Sequence, residues 1–535
     1  MTDMKINNNH PMRYIIPALL LLLSACSKFG DLNTDPTKSS KINPENQLIF
    51  TQLWFSGDLS TQERTNSIVL MPMMQQLGAA YYARVGGMYI KDITRLWVMW
   101  ENSYQNDVVN IVDAVERTNG VAGQTNLNAI CRIVKVYTFA RLTDLYGDIP
   151  YSQAGSAFYT QVKRPVYDLQ QDIYNNFLEE LKTASAQLDP AKDKVPNEIF
   201  YKGDINAWKK FANSLRIRLA LRLVKRDAEK AKKEIQDAFN AAGGVMNSSS
   251  DNCITKHMDI QNNYSDLRGN SVSVAINQQS AMPKIVSTFL DQLKSTNDPR
   301  LNYIPRCYKQ NIPLKPFERE DITAQVKASV IGLVGSKPGK YVYEDWVGPV
   351  TIKLANGTNY SAVNGDLKCE INNCFIRNNA PFLHLTYAEV ELLLADASVR
   401  LGLTLGADAA THYNKGVEAA MKQLSLYPGG PVIPDAEIAD FLTNNPLQAG
   451  TELKQINNQL WIALMLNGPE LFANWRRTGY PQLLPTPNNE STSTTIPRRF
   501  QYPLSEKEQN KVNVQAAIDR IGEDDWLKRV WWDKE

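Results

Sequence analysis

Thr143-Asp144-Leu145-Tyr146-Gly147-Asp148-Ile149-Pro150-Tyr151 ends one helix and redirects the chain. Upstream, residues 128–146 carry apolar side chains at spacings of three and four, the period of a helix with a buried face. Gly147 is a residue on which helices stop, and Pro150 keeps the helix from resuming. Asp148 is placed to accept backbone N–H bonds in that turn. Asp144 can cap, or pair with an arginine such as Arg141. The nine residues therefore read as architecture rather than as a ligand site.

The helical period extends in both directions. It covers 59–80 and 92–117 on one side, and 167–188, 206–224, 227–242 and 281–293 on the other. It returns at 384–401, 407–424, 453–467 and 470–477, and a short helix precedes an aromatic terminus in 511–535. Three trios, Gln170/Tyr174/Phe177, Ala231/Ile235/Ala238 and Ala409/Tyr413/Gly416, repeat spacings of four then three on one helical face. They echo the second helix of a tetratricopeptide unit, in which small residues and a ring pack on the preceding helix. Between 247 and 380 the period fades, Gly, Asn, Ser and Pro become frequent, and 340–342 and 350–354 read as short strands. The fold predicted is mostly α: helix pairs at roughly 59–245 and 384–480, packed with a loop-rich insertion at 247–380. Length alone allows three or four domains, but stacked helix pairs let one body, 46–535, share a continuous core.

The first residues are an address. Lys5 and Arg13 precede an apolar run from Tyr14 to Leu23 that is too short to span a bilayer, which takes about 20 residues. Leu23-Ser24-Ala25-Cys26 has the form of a lipobox, with a signal peptide at 1–25 and a lipid anchor on Cys26. Residues 26–45, polar and rich in Pro, Ser and Asn, then form a tether. The protein is expected outside the cytoplasm, where nucleotide cofactors are scarce.

The composition removes other classes. With 58 Lys+Arg against 56 Asp+Glu, the chain offers no electrostatic case for binding nucleic acid. Four His and the absence of a metal-ligand spacing give no metal site and no cofactor. Residues 335–340 (GSKPGK) fall one residue short of a phosphate loop, and Tyr341 stands where Ser or Thr would hold magnesium. There is no G-x-S-x-G and no H-E-x-x-H, so no catalytic residue is assigned. Beyond Cys26, five cysteines remain: Cys131, Cys253, Cys307, Cys369 and Cys374. Cys369 and Cys374 are close enough for a local bridge and Cys253 and Cys307 could form another, but spacing leaves the connectivity open.

Several segments together carry a resemblance: the lipobox, Leu32-Asn33-Thr34-Asp35-Pro36, the Thr143–Tyr151 motif, Pro497-Arg498-Arg499-Phe500-Gln501-Tyr502-Pro503 followed by Glu506 and Asn510, and Val530-Trp531-Trp532-Asp533. This set resembles the SusD/RagB family of Bacteroidetes outer-membrane lipoproteins, in its second SusD-like subgroup. The resemblance implies an all-α body with tetratricopeptide-like pairs and no catalytic activity. It also implies a nutrient-binding role at the outer leaflet, as the lid of a SusC-like TonB-dependent transporter, with oligosaccharides or peptides as ligands. Family members often carry acids directly after the Cys, whereas here Ser27-Lys28-Phe29-Gly30-Asp31 places one acid fifth.

Sugars present an apolar face and a hydroxyl edge, which rings and polar side chains can match. Two segments offer that mixture. One joins two helices and contains Tyr81, Tyr82 and Arg84, with Trp97 and Asn102 close behind; Leu96–Trp100 also reads as core. The other lies in the insertion, with Tyr341, Tyr343, Asp345 and Trp346. The ligand-binding candidates are Tyr81, Tyr82, Arg84, Trp97, Asn102, Tyr343 and Trp346. A lipid-anchored hydrolase, or a transporter partner without its own ligand site, would share the same anchor.

Overall fold

A computed structural model describes residues 42–78, 84–279, 281–310 and 316–535. Cys26, the signal peptide, the tether as far as residue 41, Tyr81 and Tyr82 lie outside them.

The Thr143–Tyr151 motif is the hub on which distant parts of the chain meet. It ends the helix Thr125–Tyr146, and Gly147 takes φ 87° and ψ −123°, a conformation closed to residues with a Cβ. The Asp148 carboxylate accepts from the Gln170 backbone N–H at 2.9 Å and from Arg520 at 2.6 Å. Asp144 pairs with Arg222 rather than Arg141, and accepts from the Tyr174 hydroxyl and, at 2.9 Å, from the Trp532 indole N–H. The chain's end closes over this turn: Phe500 N–H donates to Leu145 O at 2.8 Å, Arg499 to Tyr146 O at 2.9 Å and the Tyr502 hydroxyl to Asp148 O at 2.8 Å.

Helices dominate and pack in consecutive pairs. Thr125–Tyr146 lies between Asp107–Thr118 and Gln170–Gln187, which packs on Ile205–Leu221, itself packed on Ala228–Phe239. Tyr387–Leu401 pairs with Ala409–Lys422. The trios lie at these contacts: Tyr174, Phe177, Ala231, Ile235, Ala238, Tyr413 and Gly416 are all buried, with Ala409 half-buried. One contiguous apolar core runs from Leu48 to Trp532. It encloses ion pairs as well: Arg218 grips Glu389 with two hydrogen bonds of 2.6 and 2.7 Å, and Arg477 meets Asp396 at 2.9 Å.

Four predicted elements differ. The helix expected over 59–80 ends at Met73, because Gln75 turns to φ 55° and Leu77–Gly78 pairs with Lys284–Ile285. The helix expected over 92–117 is two, Ile93–Gln105 and Asp107–Thr118, broken at Asn106. The one expected over 281–293 begins at Ser287, after that strand pair. Residues 340–342 are not a strand but part of a turn-rich loop, whereas Val350–Lys353 does pair, with Asn359–Ala362. Two further antiparallel pairs, Cys253–Thr255 with Phe382–Leu385 and Pro305–Arg306 with Glu370–Ile371, frame the insertion.

Neither cysteine pairing considered from the sequence is present. All five described cysteines are buried free thiols, and Cys369 faces Cys307 rather than Cys374, with 3.6 Å between sulfurs. The strand pairing causes this, since it sets 369 across from 307 while Cys253 belongs to a different pair.

Candidate functional site

Three segments far apart in sequence converge on one open face. The first, 84–91, is stitched to the second, 486–492. Thr486 N–H donates to the Tyr89 hydroxyl at 3.2 Å, the Thr486 hydroxyl donates to Gly87 O at 3.1 Å, and Thr492 N–H donates to Tyr89 O at 3.0 Å. The third, the loop around 335–347, reaches both at Gly339. There φ is 64°, and a Cβ would come within 2.7 Å of Thr486 O and 2.8 Å of Gly87 O, so only glycine permits the approach.

This junction displays rings and charge together. Tyr341 and Tyr343 stack with centroids 5.2 Å apart and planes 8° from parallel, and Tyr343 is 68% exposed. Trp346 follows, 64% exposed. Arg84 meets Glu490 at 3.1 Å, both exposed. Local desolvation and the charges of Tyr341, Glu344 and Glu490 raise the Tyr343 hydroxyl's pKa, which leaves it a neutral donor.

The rings are mounted on polar anchors beneath. Asp345, buried between them, bonds Lys368 and accepts from Lys337 N–H at 3.1 Å. Burial would raise this carboxyl, but the bonds from Lys368 and Lys337 outweigh it and hold it below its usual value. Asn364 grips the loop from both sides. Its amide donates to Val342 O at 2.7 Å and Asp345 O at 3.1 Å, and its carbonyl accepts from Val347 N–H at 2.7 Å. Tyr343 and Trp346 are thus exposed on a loop whose backbone is hydrogen-bonded to Asn364.

Of the sequence candidates, the structure brings Arg84 and Tyr343 to this junction, with Trp346 on the same loop. Trp97 is half-buried against the core, and the Asn102 amide is held by Asp58 at 3.0 Å, so both contribute to helix packing. Glu490 has no sequence signal, because a lone acid in a Pro- and Thr-rich tail carries no pattern. A second exposed ring pair, Phe158 and Tyr159, meets edge-on at 89° and has the Tyr159 hydroxyl tied to Asp113, so it presents no shared flat face. Among the described residues no group of side chains is arranged to hold a metal ion, and no helix is long and apolar enough to cross a membrane.

A family model described as starch-binding and associating with the outer membrane matches residues 59–503. The chain belongs to the SusD-like family. Among solved structures, a chitin-binding protein is 36% identical over 92% of this chain and 100% of its own, with a TM-score of 0.79. A Bacteroidetes SusD-like protein, AC2a, is 30% identical over 92% and 100%, with a TM-score of 0.84. A chitin-binding SusD homologue from Flavobacterium johnsoniae shares the fold at 22% identity over 92% and 99%, with a TM-score of 0.71. No curated protein matches. The mostly-α body with tetratricopeptide-like pairs is thus the SusD-like fold.

Proposed function

We propose that this SusD-like protein is a non-enzymatic binding lipoprotein. Held on the outer membrane by a lipid on Cys26, it captures a neutral oligosaccharide on the Tyr341–Tyr343–Trp346 platform. It then hands the ligand to a SusC-like TonB-dependent transporter, for which it serves as the lid. The observation that carries the reading is the parallel tyrosine pair, Tyr343 exposed and Tyr341 half-buried against it, beside the Arg84–Glu490 ion pair on a loop whose backbone is clamped. A flat apolar face suits a sugar ring, while the ion pair and the phenol hydroxyl suit its hydroxyl edge. Because the platform is already ordered, little conformational entropy is lost on binding. The two relatives described as chitin-binding make N-acetylglucosamine oligomers the first ligands to try.

Isothermal titration of the soluble chain against chito-oligosaccharides, malto-oligosaccharides and peptides tests the reading. Tyr343→Ala/Trp346→Ala is expected to weaken glycan binding at least about tenfold, or about 1.4 kcal/mol, with an unchanged melting temperature. Binding that survives the double substitution would remove the platform from the account. Ligation of peptides alone would replace the sugar. Turnover of the bound glycan would favour a hydrolase.

A further inference from the structure

We propose that Cys307 and Cys369 become a disulfide in the exported protein, a covalent staple beneath the ring platform; this rests on the export proposed above. In the antiparallel pair Pro305–Arg306/Glu370–Ile371, Arg306 lies opposite Glu370, so one further step sets 307 opposite 369. The backbone groups of both cysteines point away from each other. Cys307 N–H donates to the Thr323 hydroxyl at 2.8 Å and its carbonyl accepts from Ile322 N–H at 2.9 Å. Cys369 N–H donates to Val334 O at 2.9 Å and its carbonyl accepts from Ile285 N–H at 2.7 Å. They therefore form a non-hydrogen-bonded pair, in which facing Cα atoms are about 4.5 Å apart and side chains come closest. That spacing falls within the roughly 4.4–6.8 Å range that disulfides span. The sulfurs are already 3.6 Å apart. Cys131, Cys253 and Cys374 lie on other elements: the Thr125–Tyr146 helix, the Cys253–Thr255 strand and the turn Asn373–Ile376.

Both thiols are fully buried, and the contact with Cys369 together with burial pushes the Cys307 thiol well above its ordinary pKa. Thiolate is the attacking species, so the bond forms before the strands close. The oxidant is a disulfide-carrying thiol oxidase of the extracytoplasmic compartment. One cysteine thiolate attacks that disulfide, giving a mixed disulfide and releasing one oxidase thiolate. The second cysteine thiolate attacks the first cysteine's sulfur, forming Cys307–Cys369 and releasing the other. The chain gives up two electrons and two protons, and the oxidase ends as a dithiol. The staple is adjacent to Lys368, which holds Asp345, and to Glu370, which holds Lys284 and Arg319, so it fixes the mount of the Tyr343–Trp346 loop.

The test reads the thiols directly. The full chain is reduced, denatured, refolded in a glutathione redox buffer, alkylated under denaturing conditions and digested. In parallel, protein purified from cell envelopes is alkylated without reduction. A Cys307–Cys369 peptide pair is expected in both, two hydrogens lighter than the reduced peptides. It should persist in Cys374→Ser and Cys253→Ser and be absent from Cys307→Ser and Cys369→Ser. Its reduction should lower the melting temperature by a few degrees. Five alkylated cysteines besides Cys26, or a bridge to Cys253 or Cys374, would overturn the proposal. The refolding arm does not depend on location. Protein found only in the cytosol would sink the export reading and leave the bond to be judged in glutathione alone.

Discussion

His257 shows how a single buried residue contributes to the chain's response to acid. Its Nδ1 donates to Arg268 O at 3.1 Å, which leaves Nε2 to accept from the Ser56 hydroxyl at 2.9 Å, so the ring is held neutral. Burial lowers its pKa from 6.5 to about 4. Below pH 6.5 the unfolded chain takes up a proton that the folded chain refuses, so stability falls as pH drops from about 6.5 to about 4. The loss reaches roughly 3 kcal/mol from this group. Asp107, which burial pushes up to about 7, works the opposite way between about 7 and 4, because the folded state holds the extra proton. The comparison is therefore differential: denaturant midpoints of wild type and His257→Gln, measured from pH 7 to pH 4, should converge as pH falls. Parallel curves would show that the histidine is not the titrating group. Individual residues were the hardest scale to read from sequence. The Thr143–Tyr151 motif was legible as a helix end, yet Asp144 could not be matched to Arg222 and Trp532, because nothing local says which distant partner a carboxylate will meet. Glu490 was invisible for the same reason, and the Cys307–Cys369 contact needed the strand register.

At the scale of elements, close approach between paired helices decides tolerance. Gly416, on Ala409–Lys422, lies so near Tyr387–Leu401 that a Cβ there would come within 2.7 Å of Leu392 Cγ and 3.0 Å of Leu392 N. Alanine would gain about 1 kcal/mol of helix propensity, but its Cβ already crowds Leu392, and a larger side chain must push the helices further apart. Gly416→Val should cost at least about 2 kcal/mol through overpacking, seen as a lower urea midpoint with an unchanged slope. An equally stable variant would mean that the pair slides freely. Small and aromatic residues at spacings of four and three made this packing legible in advance. Elements whose buried face is polar were not. Pro44–Gly57 buries Gln47, Thr51 and Gln52, so its apolar period is flat and the sequence pattern does not reveal a helix there. The stop at Met73 is hidden too, since Gln75 and Gln76 are good helix formers and only the pairing of Leu77 with Ile285 draws the chain out of the helix.

Across the whole molecule, the last thirteen residues act as a keystone rather than a tail. Trp526, Val530 and Trp532 are each 1% exposed. The Trp532 ring lies 4.7 Å from the Arg476 guanidinium and 5.6 Å from that of Arg222, and its indole N–H reaches Asp144. Asp533 takes Arg498, while Trp526 O accepts the N–H groups of Arg498 and Arg499. Removing 523–535 would uncover three apolar side chains' worth of core and leave Arg476, Arg222 and Arg498 short of partners. Truncating one buried tryptophan costs about 3–5 kcal/mol, and losing one member of a buried ionic cluster costs about as much again. Against a typical total of about 5–15 kcal/mol, the deletion should abolish cooperative unfolding, whereas Trp532→Ala alone should leave a folded chain with a lower midpoint. Thermal unfolding followed by circular dichroism, with limited proteolysis alongside, separates the outcomes. A truncated chain that melts within a few degrees of the full-length protein would show that the Thr143–Tyr151 turn holds the helices without its C-terminal cover, and that the C-terminal segment is not energetically joined to it.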